Sequence, residues 1–229
     1  CARDELPTSY WNGRCLSIVA AGGRAGLPRR RPGRSSFPVG RRAGLILIAL
    51  LATACESRVE RAPGVLAPDD PVQKSVRDEP FALGEFTLHP RARFGIDARV
   101  LHRARYRSGR DAELAPVDLA LGWGPMSDSV VLDRMDIDQN SRCYMWQAAV
   151  YPIPRIDIVR HSANMHMIPA NDEIRGRLLG VRAGEIVTIE GLLVDVTSAD
   201  NWRWRTSMTR NDAGPGACEL VYVETLSVR

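Results

Sequence analysis

The sequence predicts a β-rich α+β domain, in the form of a small, partly open β-barrel or an OB-like meander with two short helices. Three observations lead to this prediction. Apolar and polar residues alternate in several short segments of the second half of the chain, which is the period of half-buried strands. Turn residues separate these segments at short intervals. Only two segments carry helix-capping signals. We assign this domain to residues 81–229.

The clearest strand is predicted for residues 94–107, where apolar side chains occupy every second position between charged ones. Residues 184–196 form a β-branched run that Gly191 interrupts, which indicates a bent and largely buried strand. Residues 202–206 and 218–224 complete a predicted three-stranded meander. Weaker strands are predicted at residues 83–88, 117–123 and 143–150.

Two short helices are predicted from their capping residues. Ser127 is placed to cap a turn or two that carries Val131 and Leu132. Asn171 precedes two acidic residues and an apolar segment that ends at Gly180, which is the layout of a capped helix. Strands therefore outnumber helices in the prediction, as expected for a β-rich α+β domain.

An export signal is predicted before this domain. Arg41 and Arg42 precede an uncharged run at residues 43–54, which ends in small residues just before Cys55. As a helix this run would span about 18 Å, well short of the roughly 30 Å core of a bilayer. The segment Leu51-Ala52-Thr53-Ala54-Cys55 resembles the lipobox of bacterial lipoproteins, although leucine stands four residues before the cysteine and alanine three before it.

The resemblance implies that Cys55 is diacylated and that the protein is a membrane-anchored lipoprotein facing the periplasm or the exterior. Residues 39–54 would be the signal peptide, and residues 1–38 a disordered or artefactual upstream segment. Residues 55–80 are polar and rich in proline, which predicts a flexible tether of about 25–30 Å. A plain secretory signal with an incidental cysteine, or a buried apolar helix, is the alternative.

The distribution of charge argues against a nucleic-acid partner. The whole chain has a formal net charge of +4, but residues 1–55 hold nine arginines against Asp4 and Glu5, a net charge of +7. The remaining residues hold 22 basic and 25 acidic side chains, a net charge of −3. The predicted mature protein is therefore mildly acidic, and we expect no polyanion partner from its charge.

Two cysteines, Cys143 and Cys218, remain after the predicted anchor. In an oxidising compartment they are predicted to form a disulfide, which would stabilise the fold by about 4 kcal/mol on the chain-entropy model. Two separately buried thiols are the alternative.

The densest group of polar residues lies at residues 161–166 and supplies the candidate catalytic residues His161, Asn164 and His166, with Asp118 as an orienting or ligating carboxylate. A spacing of five residues places the two histidines on opposite faces of a strand, so we predict no metal site and no cofactor. The alternative is that these side chains satisfy backbone groups in a buried turn.

Two further groups are candidate binding residues. An arginine face on the clearest strand is suited to phosphate or carboxylate, and two tryptophans at the strand period are suited to stacking on a sugar or base. A solvated strand face and a packed core are the respective alternatives. The arginines are Arg99, Arg103, Arg105 and Arg107, and the tryptophans are Trp202 and Trp204.

The domain also resembles conserved bacterial secreted proteins of unassigned function, on the segments Gly-Trp-Gly-Pro-Met-Ser-Asp at residues 122–128 and His-Ser-Ala-Asn-Met-His at residues 161–166. No nucleophile elbow, zinc-protease motif, phosphate loop or Cys-x-x-Cys pair occurs. Two functions stay open. The first is a non-catalytic envelope module that binds another protein, a glycan or an anionic polymer, and the second is a metal-dependent or histidine-based hydrolase.

Overall fold

The structure is a computed structural model that describes residues 58–209 and 217–229, together with the backbone of Asn12–Gly13. The predicted signal peptide and the predicted lipid site Cys55 lie outside the described residues. The same holds for the predicted upstream segment, apart from the two residues just named.

The β-rich α+β class is confirmed. The strands are β1 (Asn12–Gly13), β2 (Val72–Ser75), β3 (Phe81–Leu83), β4 (Phe86–Arg105), β5 (Val117–Gly122), β6 (Asp136–Asn140), β7 (Cys143–Gln147), β8 (Ser162–Pro169), β9 (Ile186–Ser198), β10 (Arg203–Trp204) and β11 (Glu219–Val228). The helices are α1 (Arg110–Leu114), α2 (Ser129–Leu132), α3 (Arg155–Arg160) and α4 (Asp172–Gly180), with a 3-10 helix at Gly124–Ser127.

Both predicted helices form, and their caps explain where they begin. The side chain of Asn171 accepts a hydrogen bond of 2.9 Å from the backbone N–H of Ile174, which caps α4 as expected. The cap of α2 is Asp128 and not Ser127, because the Asp128 carboxylate accepts a hydrogen bond from the N–H of Val130. Sequence reasoning missed the short helices α1 and α3.

The long strand β4 organises the sheet. It joins the predicted strands at residues 83–88 and 94–107 into one, and irregularities in its register occur near Pro90 and between Val100 and His102. Residues Phe86–Arg99 pair with β9, whereas Arg99–Arg105 pair with β5. The N-terminal part of β4 therefore pairs with β9 and its C-terminal part with β5, so β4 links these two strands in one sheet.

The strands form a ring-like sheet and not a regular barrel. Five of them hydrogen-bond in the cyclic order β4, β5, β8, β11, β9 and back to β4, while β2 and β3 pair with β4 and β10 pairs with β9. The β8–β11 pair is parallel and the other ring pairs are antiparallel. This connectivity, with α4 between β8 and β9, is OB-like.

The predicted meander of the last three strands is wrong. Strand β9 lies between β10 and β11, and β11 pairs with β8 on its other side. The bend expected at Gly191 coincides with a register shift on β11 opposite it, between Val223 and Thr225. A side chain at Gly191 would collide with the carbonyl of Tyr222, so the two backbones approach closely there.

Each face of the ring is covered. The main apolar cluster lies on one face of the five ring strands and includes Ile174 and Leu178 of α4. On the opposite face of β5 and β8, the β6–β7 hairpin, α2 and α3 contribute to a second cluster that includes Leu132, Tyr144 and Ile158. Polar side chains on that second face of β8 are therefore buried between the ring and the hairpin.

The segment predicted as a flexible tether packs on the domain from Val59 onward. The N–H of Val59 donates a hydrogen bond of 2.7 Å to the carbonyl of Ala183, and β2 pairs with β4. Arg61 donates to the carbonyls of Gly184 and Arg229. Polar composition led to the tether prediction, but these hydrogen bonds involve main-chain groups, which any sequence provides.

Candidate functional sites

Two segments singled out in the sequence meet in the structure. The turn after β5, which contains Gly122, Trp123 and Gly124, packs against His161 at the end of α3. The N–H of Trp123 donates to the carbonyl of His161 at 2.9 Å. Gly124 has a positive φ of 49°, and a Cβ there would lie 2.8 Å from Cδ2 of His161. Glycine at this position allows the turn to approach the imidazole.

Two residues after this turn, Ser127 and Asp128, accept hydrogen bonds from the backbone of residues 64–67, which precede β2. The Ser127 hydroxyl accepts hydrogen bonds of 3.0 and 3.1 Å from the N–H groups of Leu66 and Ala67. The Asp128 carboxylate accepts hydrogen bonds from the N–H groups of Gly64 and Val130, and these bonds lower the pKa of Asp128. The segment at residues 122–128 therefore fixes the backbone of residues 64–67 and also contacts His161.

His161 lines a pocket of about 540 Å³, which we call the His161 pocket. The indole N–H of Trp123 donates a hydrogen bond of 2.9 Å to the Asp70 carboxylate at its wall. Nδ1 of His161 lies 2.7 Å from the carbonyl oxygen of Asp157. A carbonyl can only accept, so Nδ1 carries the proton and Nε2 is an acceptor in the neutral ring. The pocket is lined by Asp70, Pro71, Gln73, Trp123, Arg160, His161 and Met208.

His166 lies in a different environment, a buried cluster on the covered face of the ring. Strands β5 and β8 place Asp118 directly opposite His166, and Oδ1 of Asp118 is 2.9 Å from Nδ1 of His166. Both side chains are almost fully buried. Arg142, from the β6–β7 hairpin, donates to the same Asp118 oxygen at 2.8 Å and to Asp111 at 2.9 Å. The predicted association of Asp118 with a histidine therefore occurs with His166.

Charge interactions oppose desolvation at His166. Burial alone lowers the pKa of His166, but the negative charge of Asp118 and the hydrogen bonds with Asp118 and Cys218 outweigh burial and raise it from 6.5 to about 9. The imidazole is thus protonated at neutral pH. The same carboxylate contributes to a raised pKa of Tyr106, for which burial is the larger cause.

The predicted disulfide between Cys143 and Cys218 does not form, and both residues are buried thiols. Cys218 is instead part of the polar cluster. Its Sγ accepts a contact of 3.6 Å from the amide of Asn164, and Cys218 is one of the groups that raise the pKa of His166. Cys143 directs its Sγ to the carbonyl of Ser141 at 3.4 Å. The two sulfurs contact different carbonyl groups, those of Ser141 and Arg142, which are neighbours in the chain.

The three residues of the predicted catalytic group are divided between the two environments. Asn164 and His166 share the buried face of β8, where Asn164 also donates to the carbonyl of Arg142 at 3.0 Å. His161 precedes the strand and lines the pocket. The association of His166 with Cys218 was missed because it depends on the parallel pairing of β8 with β11, which brings together residues 52 positions apart.

The predicted aromatic pair lies beside the buried cluster. The rings of Trp202 and Trp204 are 6.0 Å apart, and Trp204 packs against His166 at 4.7 Å. Trp202 packs against Phe86 at 5.6 Å. The guanidinium of Arg142 lies over Trp204 at 5.4 Å. Both tryptophans are half-buried, and their rings already serve as packing surfaces within the domain.

The predicted arginine face is not a single surface. Arg99 is buried and donates to the carbonyl of Ser127 at 3.1 Å and to the hydroxyl of Ser129 at 2.8 Å. Arg103 and Arg105 donate to carbonyls at the C-terminal end of α4, where cations are favourable. Burial, and then the neighbouring Arg105, lower the pKa of Arg103 to about 10. Arg107 is exposed.

Comparison with known proteins assigns the chain to no family: no family model, curated protein or solved structure matches it. Within residues 58–209 and 217–229, no group of three His, Cys, Asp or Glu side chains is arranged to hold a metal ion. No helix in the described part of the chain has both the length and the hydropathy needed to span a membrane.

Proposed function

We propose that the protein is a lipid-anchored envelope protein whose domain binds a neutral polar ligand, an envelope glycan, in the His161 pocket without catalysing its conversion. The observation that carries this proposal is the composition of the pocket wall. It combines acceptors and donors on several elements with no hydroxyl or thiol nucleophile among the described lining residues.

The charge of the pocket suits a neutral ligand. One carboxylate, Asp70, and one guanidinium, Arg160, line it, so their formal charges cancel. The amide of Gln73, which donates to the carbonyl of Met208 at 3.2 Å, and the imidazole of His161 add polar groups to the wall. Pro71 and Met208 add apolar area against which the C–H groups of a sugar ring can pack. The net charge of −3 after Cys55 also argues against a polyanion as ligand.

The alternative, a hydrolase centred on His161, Asn164 and His166, has less support. His166 and Asn164 are buried on the covered face of β8, while His161 faces the pocket. His161 follows α3 and lines the pocket, whereas His166 lies within β8 on its covered face, so the two imidazoles do not face one reacting bond. Binding requires only the pocket, so it needs fewer assumptions than catalysis.

The anchor part of the proposal rests on the lipobox resemblance at Cys55. The first residue seen to contact the domain, Val59, follows Cys55 by four residues. Four residues span at most about 14 Å even when fully extended. A lipid on Cys55 would therefore hold the domain close to the bilayer surface, instead of at the end of the long tether that composition suggested.

Calorimetric titration of the full-length protein tests the binding proposal. The probes are N-acetylchitotriose and a soluble peptidoglycan fragment as glycans, with dextran sulfate as a polyanion. We expect a glycan to bind and His161→Ala to weaken binding at least about tenfold, since a tenfold loss corresponds to about 1.4 kcal/mol. The matched control is His89→Ala, because His89 contacts Thr197 and does not line the pocket.

Two outcomes would contradict the proposal. One is binding of dextran sulfate alone, which would indicate a polyanion site. The other is glycan binding that His161→Ala and His89→Ala reduce equally, which would place the ligand elsewhere.

A further inference from the structure

A carboxylate, an imidazole and a thiol follow one another in the buried cluster. Asp118 on β5 contacts His166 on β8 at 2.9 Å. Cys218 lies just before β11, two residues from Leu220, which pairs with His166. Asn164, on the same face of β8 as His166, donates to Sγ of Cys218 at 3.6 Å, and Cys218 is one of the groups that raise the pKa of His166. A thiol next to an imidazole that a carboxylate orients is the arrangement that activates a cysteine.

The surroundings of Cys218 favour its negative form. The imidazole next to it is protonated at neutral pH, so it carries a positive charge. The amide of Asn164 donates toward Sγ at 3.6 Å, and a thiolate is a better acceptor than a thiol. One longer contact favours the protonated thiol, since Sγ lies 3.9 Å from the carbonyl oxygen of Arg142. The contact with the Asn164 amide is the shorter of the two, and the positive charge of His166 acts in the same direction.

We propose that Cys218 is a thiolate nucleophile, paired with His166 and oriented through Asp118, that reacts with small hydroperoxides. This site is separate from the His161 pocket and independent of the binding function proposed there. The size of the reactant follows from burial: Cys218 is only 4% exposed, and none of the principal pockets in the described part of the chain opens onto it. A molecule of a few atoms can reach such a site, whereas a polymer cannot.

The reaction is a two-electron oxidation of the thiolate. Sγ of Cys218 attacks one oxygen of the peroxide, the S–O bond forms and the O–O bond breaks. The departing hydroxide, or alkoxide, takes the proton of the His166 imidazolium and leaves as water or alcohol. Cys218 becomes a sulfenic acid and the hydroperoxide is reduced. The carboxylate of Asp118 keeps the imidazole in place throughout and is a positioning residue.

Cys143 provides an internal control in the same molecule. It is 5% exposed, close to the 4% of Cys218, so the two residues are buried to a similar extent. Its Sγ faces the carbonyl oxygen of Ser141 at 3.4 Å, an acceptor that favours the protonated thiol. A difference in reactivity between the two cysteines therefore reports their chemical surroundings and not their exposure.

The test treats the full-length protein with hydrogen peroxide at pH 7, blocks remaining thiols under denaturing conditions, and quantifies oxidation of each cysteine by peptide mass spectrometry. We expect Cys218 to react at least about tenfold faster than Cys143, since one unit of lowered thiol pKa raises the thiolate fraction about tenfold. His166→Gln should remove this advantage. His89→Gln, which alters the contact of His89 with Thr197 and none of the contacts in the buried cluster, should preserve it.

Equal oxidation rates for Cys143 and Cys218 in the wild-type protein would overturn the proposal, and this comparison needs no variant that could misfold. If circular dichroism shows that both variants are folded and neither His166→Gln nor His89→Gln changes the oxidation rate of Cys218, the proposal is overturned as well. Neither result bears on glycan binding, which the calorimetric titration tests separately.

Discussion

Gly124 and His161 are in direct contact: a side chain on the glycine would place its Cβ 2.8 Å from Cδ2 of the imidazole. The contact joins the turn after β5 to the end of α3, and it forms next to the His161 pocket. Positive φ at Gly124 and the close approach both require a residue without a side chain.

Replacing Gly124 with alanine should therefore destabilise the fold by about 1–3 kcal/mol, through backbone strain and the clash with His161. Urea unfolding measures the change. Gly176→Ala is the matched control, because Gly176 lies within α4 with open space around it, and alanine there should stabilise by about 0.5–1 kcal/mol. Equal effects of the two substitutions would show that the contact contributes nothing to stability.

Removing the Asp118 carboxylate should be among the most destabilising single changes in the domain. Asp118 is fully buried and is the common partner of His166 and Arg142. Asp118→Ala would leave two cations without it, so we expect a loss of about 3–5 kcal/mol in urea unfolding. Asp138→Ala should cost less than about 1 kcal/mol, because Asp138 is 63% exposed and 3.8 Å from His102. A small effect at Asp118 would mean that the cluster is solvated.

The pH dependence of stability should reveal the charge state of the buried pair. Folding raises the pKa of His166 from 6.5 to about 9, so its stabilising contribution is complete below pH 6.5 and is lost as the pH rises through 9. Cys218→Ser removes the part of this increase that Cys218 causes and keeps the part that Asp118 causes, so the stability of the variant should still fall as the pH rises above 6.5.

The wild-type protein should behave differently if Cys218 is a thiolate. Between about pH 6.5 and 8.5, the folded pair holds one proton on His166, and the unfolded pair holds one proton on the thiol. The folded and unfolded states bind equal numbers of protons, so the free energy of unfolding of the wild type should change little over this interval. Urea unfolding at half-unit steps of pH distinguishes a thiolate at Cys218 from a neutral thiol. A wild-type slope as steep as that of Cys218→Ser would indicate a neutral thiol.

Lipid attachment at Cys55 can be tested in cells of a host that processes lipoproteins. Cys55→Ser should abolish labelling by a fatty-acid analogue and leave an unprocessed precursor, because the sulfur is the attachment atom and the lipid precedes cleavage. Cys218→Ser is the control and should be labelled as the wild type is. Persistent labelling of Cys55→Ser, or a mature N-terminus mapped elsewhere, would contradict the proposed anchor.

The sequence by itself determined the β-rich α+β class, the strand at residues 94–105 and the cap of α4, because alternation and capping act over a few residues. It also predicted that Asp118 would associate with a histidine, without indicating which. Only the tertiary structure decided that Asp118 lies beside His166, that Cys218 meets His166 instead of Cys143, and that the polar segment after Val59 packs on the domain. These contacts depend on strand order and register, which main-chain hydrogen bonds establish between residues far apart in the chain, and local composition carries no information about them.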